Sequence, residues 1–261
     1  MARICPMFSG SSGNSTYIGT PDGGFLIDAG VSFKRLCAAL EAAGGCYSEI
    51  KGVAVTHEHR DHIQGLKLLL KKSGAALIAS AKTVETLRAG DFLPEGVKVI
   101  ILEKTAEIAG VQITRFDTSH DCEGSSGFSF TLPNEKRITV CTDLGVVTQG
   151  VRQAILGSDL VLLESNHDID MLKKGPYPPG LKMRVLSDNG HISNNACAAE
   201  LPGLLAGGTT RFILGHLSKQ NNIPMLAEST AVAALMDAGG IRDKDYILSV
   251  AAPDSNGVTV L

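Results

Sequence analysis

The sequence lacks any apolar run that approaches the roughly 18 residues of a membrane-spanning helix. Residues 1–7 contain no hydrophobic core of the kind that a secretory signal has, so we expect no signal peptide. The 6 cysteines are scattered, without a Cys-x-x-Cys pair or a dense disulfide framework, which favours reduced thiols. These absences predict a cytoplasmic protein with no membrane partner.

The sequence also has no low-complexity linker and no block of like charges. With 261 residues, 44% of them hydrophobic, it can bury a sizeable core, and we predict one domain over residues 1–261. The net charge of −3 argues against nucleic-acid binding through the overall electrostatic field. Binding of a polynucleotide would therefore need a local cationic patch.

Four candidate metal ligands lie close together in the segment 56–62, directly after an apolar run. His57 and His59 are two residues apart, so in extended backbone both side chains point the same way. Asp61 and His62 are adjacent and can reach a second point if the chain turns into a helix there. Imidazole nitrogens and carboxylate oxygens suit a borderline divalent metal. The spacing therefore favours a site for two metals over the alternative, a solvated histidine-rich loop.

Three further apolar runs each end beside one candidate ligand, namely His120, Asp143 and His216. A sheet whose loops converge at one edge would collect these residues into a single site. Cys122 lies two residues beyond His120, but the ligand set is complete without it, so we assign it a structural role.

The combined pattern resembles that of the metallo-β-lactamase superfamily. The Thr-His-x-His-x-Asp-His stretch, the later histidine, the Thr-Asp-x-Gly aspartate and the final Gly-His match its five-part metal pattern in order. Four further stretches resemble one branch, the YycJ-like (WalJ) proteins: residues 8–15, 164–168, 186–194 and 215–222. That branch is associated with 5′-to-3′ exonuclease activity on DNA, and its core is similar to tRNase Z.

The resemblance implies an α/β fold, a four-layer αββα sandwich in which helices cover two sheets packed face to face. It also implies two divalent ions, Zn²⁺ or Mn²⁺. Such cations suit this reaction because they lower the pKa of a water molecule and hold the oxygens of a phosphodiester. The implied ligands are histidines and aspartates: for one ion His57, His59 and His120, for the other Asp61, His62 and His216, and for both, as a bridge, Asp143.

The tRNase Z resemblance also implies that Glu164 orients His191, which protonates the leaving oxygen. A histidine suits this role because its unperturbed pKa lies near neutrality. The alternative for His191 is a turn histidine bonded to the backbone. Asp61 is counted with Glu164 and His191 as a catalytic residue.

Candidates for substrate binding lie in two segments. Residues 171–184 combine cations with an aromatic side chain that can stack on a base, and their glycines and prolines predict a loop; the candidates there are Lys173, Lys174, Tyr177, Lys182 and Arg184. The alternative is a solvated basic loop. The small polar residues Ser12, Gly13 and Asn14 are candidates to bind phosphate, or else form a plain hairpin loop. His167 is a candidate to contact phosphate or to cap the turn before Asp168.

We therefore predict a dinuclear metal phosphodiesterase, a 5′-to-3′ exonuclease that acts on DNA in preference to RNA. The interval between Asp143 and His216 is too short for a large inserted cap domain. The alternative is a hydrolase of a small thioester, lactone or cyclic phosphodiester. The Glu164–His191 pair argues against a thioester, since a thiolate leaving group needs no proton donor. A non-catalytic binding module is disfavoured because the full ligand set is present.

Overall fold

The computed structural model describes residues 2–254 and 257–261, whose strands form two seven-stranded sheets. The first sheet contains β1 (Arg3–Phe8), β2 (Ser15–Thr20), β3 (Gly23–Ile27), β4 (Ile50–Ala54), β5 (Ala76–Ala79), β6 (Val99–Ile101) and β14 (Thr259–Val260). Its spatial order is β14-β1-β2-β3-β4-β5-β6. The strands β14 to β3 pair antiparallel, and β3 to β6 pair parallel.

The second sheet contains β7 (Thr105–Ile108), β8 (Val111–Asp117), β9 (Ser126–Thr131), β10 (Arg137–Cys141), β11 (Leu160–Glu164), β12 (Arg211–Gly215) and β13 (Ile247–Val250). Its spatial order is β13-β12-β11-β10-β9-β8-β7. The strands β10 to β13 pair parallel, whereas β7 and β8 form an antiparallel hairpin. Because β10, β11 and β12 run parallel, their carboxyl ends share one edge of the sheet. Glu164 is the last residue of β11, and Asp143 and His216 follow β10 and β12.

The helices are α1 (Phe33–Ala42), α2 (Arg60–Ile63), α3 (Leu66–Ser73), α4 (Ala81–Ala89), α5 (Gln149–Ile155), α6 (Ile169–Lys174), α7 (Pro179–Val185), α8 (Asn194–Ala206) and α9 (Pro224–Asp237), with a 3₁₀ turn at Tyr47–Glu49. Several begin with a side-chain cap. Ser193 accepts a hydrogen bond from the backbone N–H of Ala196 at the start of α8, and Asp168 accepts one from Met171 at the start of α6.

The contacts divide the chain into two compact units, each with its own apolar core. The first comprises Met1–Arg115, Cys122–Glu135 and Ala252–Leu261. Its core includes Leu26, Val53 and Leu69, which are fully buried. Within this unit Phe25 of β3 lies 5.7 Å, centroid to centroid, from Phe130 of β9, so the first sheet packs against a strand of the second.

The second unit comprises Phe116–Asp121 and Lys136–Ala251. Every residue of its strand β11 is buried, as expected for a parallel strand covered on both faces. Val161 and Leu163 join a core with Phe212 of β12 and Leu201 of α8. The buried strand ends at Glu164, which places a buried carboxylate at the carboxyl end of β11.

The two sheets and their helices agree with the predicted mixed α/β class, and the predicted loop over residues 171–184 is wrong. That segment forms α6 and α7, and the intervening residues 175–178 connect them. The prediction of one domain over 1–261 stays a prediction. Among the helices of residues 2–254 and 257–261, none combines the length and the apolar character that crossing a bilayer requires.

Candidate active site

In the first unit, the segment after β4 brings together the four ligands predicted from the His-x-His-x-Asp-His pattern. Nε2 of His57 and Nδ1 of His59 approach to 3.1 Å, and the rings of His57 and His62 lie 4.0 Å apart, centroid to centroid. The chain then enters α2, where Oδ2 of Asp61 lies 3.7 Å from Nε2 of His62. Extended backbone followed by a helical turn is the geometry that the spacing predicts.

Asp28 supports this segment and was not predicted as a site residue. It follows β3 with a left-handed backbone (φ 62°) and is buried. Its carboxylate accepts hydrogen bonds of 2.8 Å from the backbone N–H and the hydroxyl of Thr56, and of 2.8 Å from Nδ1 of His62. Burial raises the pKa of Asp28, while His62 and Thr56 oppose that shift. A proton held on Nδ1 leaves Nε2 of His62 as the atom that can bind a metal.

The predicted phosphate-binding residues Ser12, Gly13 and Asn14 also lie in the first unit. Ser12 is exposed. The Asn14 backbone donates a 2.8 Å hydrogen bond to the carbonyl of Asp61, and its side-chain Nδ2 lies 3.0 Å from Nε2 of His62. A Cβ on Gly13 (φ 146°) would meet Val31 at 2.3 Å. Asn14 therefore braces the turn that carries the predicted ligands Asp61 and His62, whereas Gly13 packs against Val31. The role of Ser12, Gly13 and Asn14 in substrate binding stays a prediction.

In the second unit, Glu164 joins two histidines at the carboxyl end of β11. Its Oε1 accepts hydrogen bonds from Nδ1 of His191 at 2.8 Å and from Nδ1 of His216 at 2.7 Å. Its Oε2 accepts one from the Leu144 backbone at 3.1 Å. Asp143 completes the cluster, in which one ligand atom of each residue lies within 4.8 Å of the others.

Mutual electrostatic support explains how a buried carboxylate stays ionised here. Burial alone would raise the pKa of Glu164, but His191 and His216 outweigh it and hold that pKa at about 2. Burial would lower the pKa of His191, but Glu164 outweighs it and the pKa is raised. Since an ionised carboxylate only accepts hydrogen bonds, both histidines donate from Nδ1. The Nε2 atoms are then the ones that can meet a metal or a substrate.

Three residues of these clusters have strained backbone. Asp143 (φ 59°) and His216 (φ 56°) are in the left-handed region, like Asp28. Such conformations cost about 1–3 kcal/mol for a residue other than glycine and are held by the surrounding structure. Asp143, His216 and Asp28 lie just after the ends of β10, β12 and β3, respectively.

His120, the remaining predicted ligand, is held by the segment that follows α7. It is 8% exposed, and its Nδ1 lies 3.3 Å from the carbonyl of Gly190. Burial lowers its pKa. Its Nε2 lies 3.3 Å from Asp121, which accepts a 2.5 Å hydrogen bond from Nε of Arg184. Arg184, predicted to bind substrate, is therefore paired with a carboxylate beside a predicted ligand.

The other substrate-binding candidates occupy different environments. Lys173 and Lys174 are exposed at the end of α6, whereas Tyr177 and Lys182 are half-buried. Lys182 donates a 2.7 Å hydrogen bond to the carbonyl of Lys173, which joins α7 to α6. His167 is only 1% exposed, and burial lowers its pKa to about 4. Within residues 2–254 and 257–261 neither of its ring nitrogens has a hydrogen-bond partner.

The donor chemistry fits a divalent metal. Each unit presents imidazole nitrogens and carboxylate oxygens at close range, and Asp28 and Glu164 fix which nitrogen of His62 and His216 is protonated. In metalloproteins, carboxylates that accept a hydrogen bond from the other ring nitrogen of a histidine ligand orient that ligand. The chain therefore carries histidine and aspartate clusters for divalent metal cofactors.

Comparisons with known proteins agree with this arrangement. Residues 24–217 match the family model described as beta-lactamase superfamily domain. The exodeoxyribonuclease WalJ of Streptococcus pneumoniae is 34% identical over 251 residues, which are 95% of this chain and 93% of that protein. The exodeoxyribonuclease YycJ of Bacillus anthracis is 32% identical over 233 residues, 88% of each chain.

The fold is likewise shared with a solved structure. The metallo-β-lactamase fold protein YhfI from Bacillus subtilis superposes with a TM-score of 0.73 at 14% identity, covering 100% of both chains. The predicted metallo-β-lactamase fold is thereby confirmed. The chain belongs to the beta-lactamase superfamily and, within it, to the family of the WalJ and YycJ proteins.

Proposed function

We propose that this protein is a metal-dependent phosphodiesterase that degrades DNA from its 5′ end, with two metal ions at one active site. The relatives named exodeoxyribonuclease support DNA as the substrate. One structural observation carries the proposal: the buried Glu164 carboxylate lies 2.8 Å from Nδ1 of His191. This pair is suited to protonating a leaving oxygen beside a metal centre.

The metal ligands in this proposal are the seven residues that the sequence pattern predicts, namely His57, His59, Asp61, His62, His120, Asp143 and His216. Ions bound there would lower the pKa of a water molecule and neutralise charge on the phosphodiester. Zinc suits the histidine-rich ligands, and manganese suits the carboxylates.

The chain's own residues move the proton of the leaving group. Glu164 keeps Nδ1 of His191 protonated and fixes the ring, so that Nε2 carries the second proton while the ring is charged. The side chain of His191 is 20% exposed, so a substrate can reach it. When the bond from phosphorus to the leaving oxygen breaks, His191 donates this proton to the oxygen. His216, bonded to the same carboxylate oxygen, is held in place as a ligand.

This proton donor favours a phosphodiester over a thioester. An alkoxide leaving group is a strong base and gains most from protonation, whereas a thiolate leaves without it. A small lactone or cyclic phosphodiester remains the second candidate, because the same pair would protonate its leaving oxygen too.

The test uses one DNA strand labelled at either end and the metal-loaded protein. Label at the 5′ end should appear early as a mononucleotide, while label at the 3′ end stays on strands that shorten progressively. RNA of the same sequence should be degraded more slowly. Asp143→Ala should lose the activity, and Asp237→Ala, at the exposed end of α9, should keep it. Intact DNA together with rapid lactone hydrolysis would contradict the proposal.

A further inference from the structure

An apolar stripe lies on the exposed side of α7. Met183 is 73% exposed and Leu186 is 46% exposed, and Pro179 is exposed as well. The spacing of four and three residues puts all three side chains on one face of a helix. Leu186 retains helical backbone (φ −81°, ψ −5°), so it continues this face. The opposite side is anchored by the buried Val185.

The helix that carries the stripe is hydrogen-bonded to the backbone of the proposed proton donor. The carbonyl of Val185 accepts a 3.0 Å hydrogen bond from the backbone N–H of His191. Arg184, also on α7, pairs with Asp121 beside His120. The same short helix therefore holds two groups of the proposed active site in place and presents apolar side chains to solvent.

Cations flank the stripe. Lys182 is its neighbour on α7, and its Nζ bonds the carbonyl of Lys173, so α6 brings Lys173 and Lys174 alongside. A protein-binding helix face needs apolar contacts, whereas a DNA strand needs apolar surface for its bases beside cations for its phosphates. An apolar stripe flanked by cations, on a helix whose backbone is hydrogen-bonded to His191, matches a DNA strand better than a second protein.

We propose that Pro179, Met183 and Leu186 form the surface on which a nucleobase next to the cleaved phosphate stacks. This inference rests on the proposed function and adds the recognition of the strand. Aliphatic side chains such as methionine and leucine can insert between or pack against bases without reading their sequence. The stripe would hold the strand end in register with His191 whatever its sequence.

The test compares two pairs of surface substitutions in the metal-loaded protein. Met183→Ser with Leu186→Ser should raise KM for single-stranded DNA about tenfold relative to the parent, as expected for loss of base stacking. Met225→Ser with Met236→Ser is the control, because these α9 side chains are also largely exposed, at 70% and 62%. The control should keep the parental KM. The DNA effect should exceed the effect on bis-p-nitrophenyl phosphate, which has no base.

A direct readout is 2-aminopurine at the 5′ end of a non-hydrolysable oligonucleotide. Its fluorescence should change on binding to the parent and much less with the double serine variant, and Met183→Trp should strengthen binding. If the parent degrades DNA and the serine variant has the same KM, the inference is overturned. If sedimentation shows a dimer of the parent that the variant loses, the stripe is a protein interface and the inference also fails. If the parent degrades no DNA, the proposed function itself fails.

Discussion

At the scale of single residues, the candidate site depends on a few hydrogen bonds that decide where protons lie. Glu164 holds Nδ1 of both His191 and His216, and Asp28 holds Nδ1 of His62. Both carboxylates are buried. His191 and His216 lower the pKa of Glu164 and so sustain its ionised form in place of water, whereas burial raises the pKa of Asp28 against the opposing effect of His62 and Thr56. Removing Glu164 or one of its histidines should therefore also change the protonation of the residues that remain.

His191→Ala tests the proton donor. Hydrolysis of DNA should fall by roughly 10²–10⁴, as for loss of a general acid. Hydrolysis of bis-p-nitrophenyl phosphate should fall much less, because p-nitrophenolate leaves without protonation. The measurement is kcat for both substrates, with metal content determined on the same samples. Equal losses on both substrates would assign His191 a structural role.

The convergence of the candidate ligands between His57 and His62 could be predicted from the sequence because its information is local. His57 and His59 lie in the segment between β4 and α2, and Asp61 and His62 lie in α2, so their spacing alone indicates their convergence. Asp28 could not be predicted in the same way, because its partner His62 lies far along the chain. The one available signal was an aspartate directly after the apolar run 25–27, the same signal that identified Asp143.

At the scale of elements, close backbone contacts hold the ligand-bearing turns in place. Gly30 lies against α2 and the segment before β2: a Cβ there would meet the Asp61 carbonyl oxygen at 1.7 Å and the Asn14 nitrogen at 2.6 Å. Both are backbone atoms, so neither can rotate away.

Gly30→Ala should accordingly destabilise the protein by about 3 kcal/mol, the upper range for overpacking, and reduce metal binding. Gly203→Ala is the matched control, because a Cβ at that position in α8 meets nothing within 4 Å. Gly203→Ala should stabilise the folded protein by about 0.4–1 kcal/mol, because alanine lowers the conformational entropy of the unfolded chain. Denaturant unfolding measures both, and equal stabilities of the two variants would refute the role given to Gly30.

Asp159 links β10 to β11 through an ionised carboxylate. It accepts hydrogen bonds from Lys136 Nζ at 2.6 Å and from the Arg137 backbone at 2.9 Å. Burial would raise the pKa of Asp159, but these hydrogen bonds outweigh it and the pKa is lowered. A lowered pKa stabilises the fold above the ordinary aspartate pKa, and this stability is lost as pH falls through the folded-state pKa.

Asp159→Asn should therefore cost about 1 kcal/mol at neutral pH, and the difference from the parent should shrink below about pH 4. Asp170→Asn is the control, since Asp170 pairs with Lys174 in an exposed i,i+4 contact. It should change stability much less. A parent–variant difference for Asp159 that stays constant down to pH 2 would contradict the ionic explanation.

The elements that were missed show what local sequence cannot specify. The glycines and prolines of residues 175–180 indicate a loop, but Pro179 is the first residue of α7, a position that proline favours because its missing N–H needs no partner there. The strand β14 has only two residues and exists through pairing of Val260 with Arg3. Its formation depends on a partner at the other end of the chain.

At the scale of the whole molecule, the proposed binding of DNA by a mildly acidic protein requires a local cationic surface. The net charge of −3 gives no general attraction to phosphate. The cations of α6 and α7 differ in their engagement: Lys174 pairs with Asp170 and Arg184 with Asp121, whereas Lys173 and Lys182 are joined through the carbonyl of Lys173. Arg184 is therefore better suited to holding Asp121 than to binding phosphate.

Replacing Lys173, Lys174 and Lys182 by Ala should weaken DNA binding and flatten its salt dependence. The slope should fall by about 0.7 for each lysine that no longer neutralises a phosphate of a single strand. The control replaces Lys34, Lys71 and Lys72, which are exposed in the first unit, and changes net charge equally. Binding is measured by fluorescence anisotropy from low to moderate salt. The same slope in both triple variants would mean that the α6–α7 cations are only a solvated surface.

The most direct test of metal-dependent DNA hydrolysis is a titration of the metal-free protein with Mn²⁺ or Zn²⁺ while 5′-labelled DNA is degraded. Turnover should be absent at the start, rise with added ion and level off at two ions per chain. Asp143→Ala, without the proposed bridge, should bind fewer ions and stay inactive. Full turnover by the metal-free protein, or a plateau at one ion per chain, would contradict a two-metal phosphodiesterase.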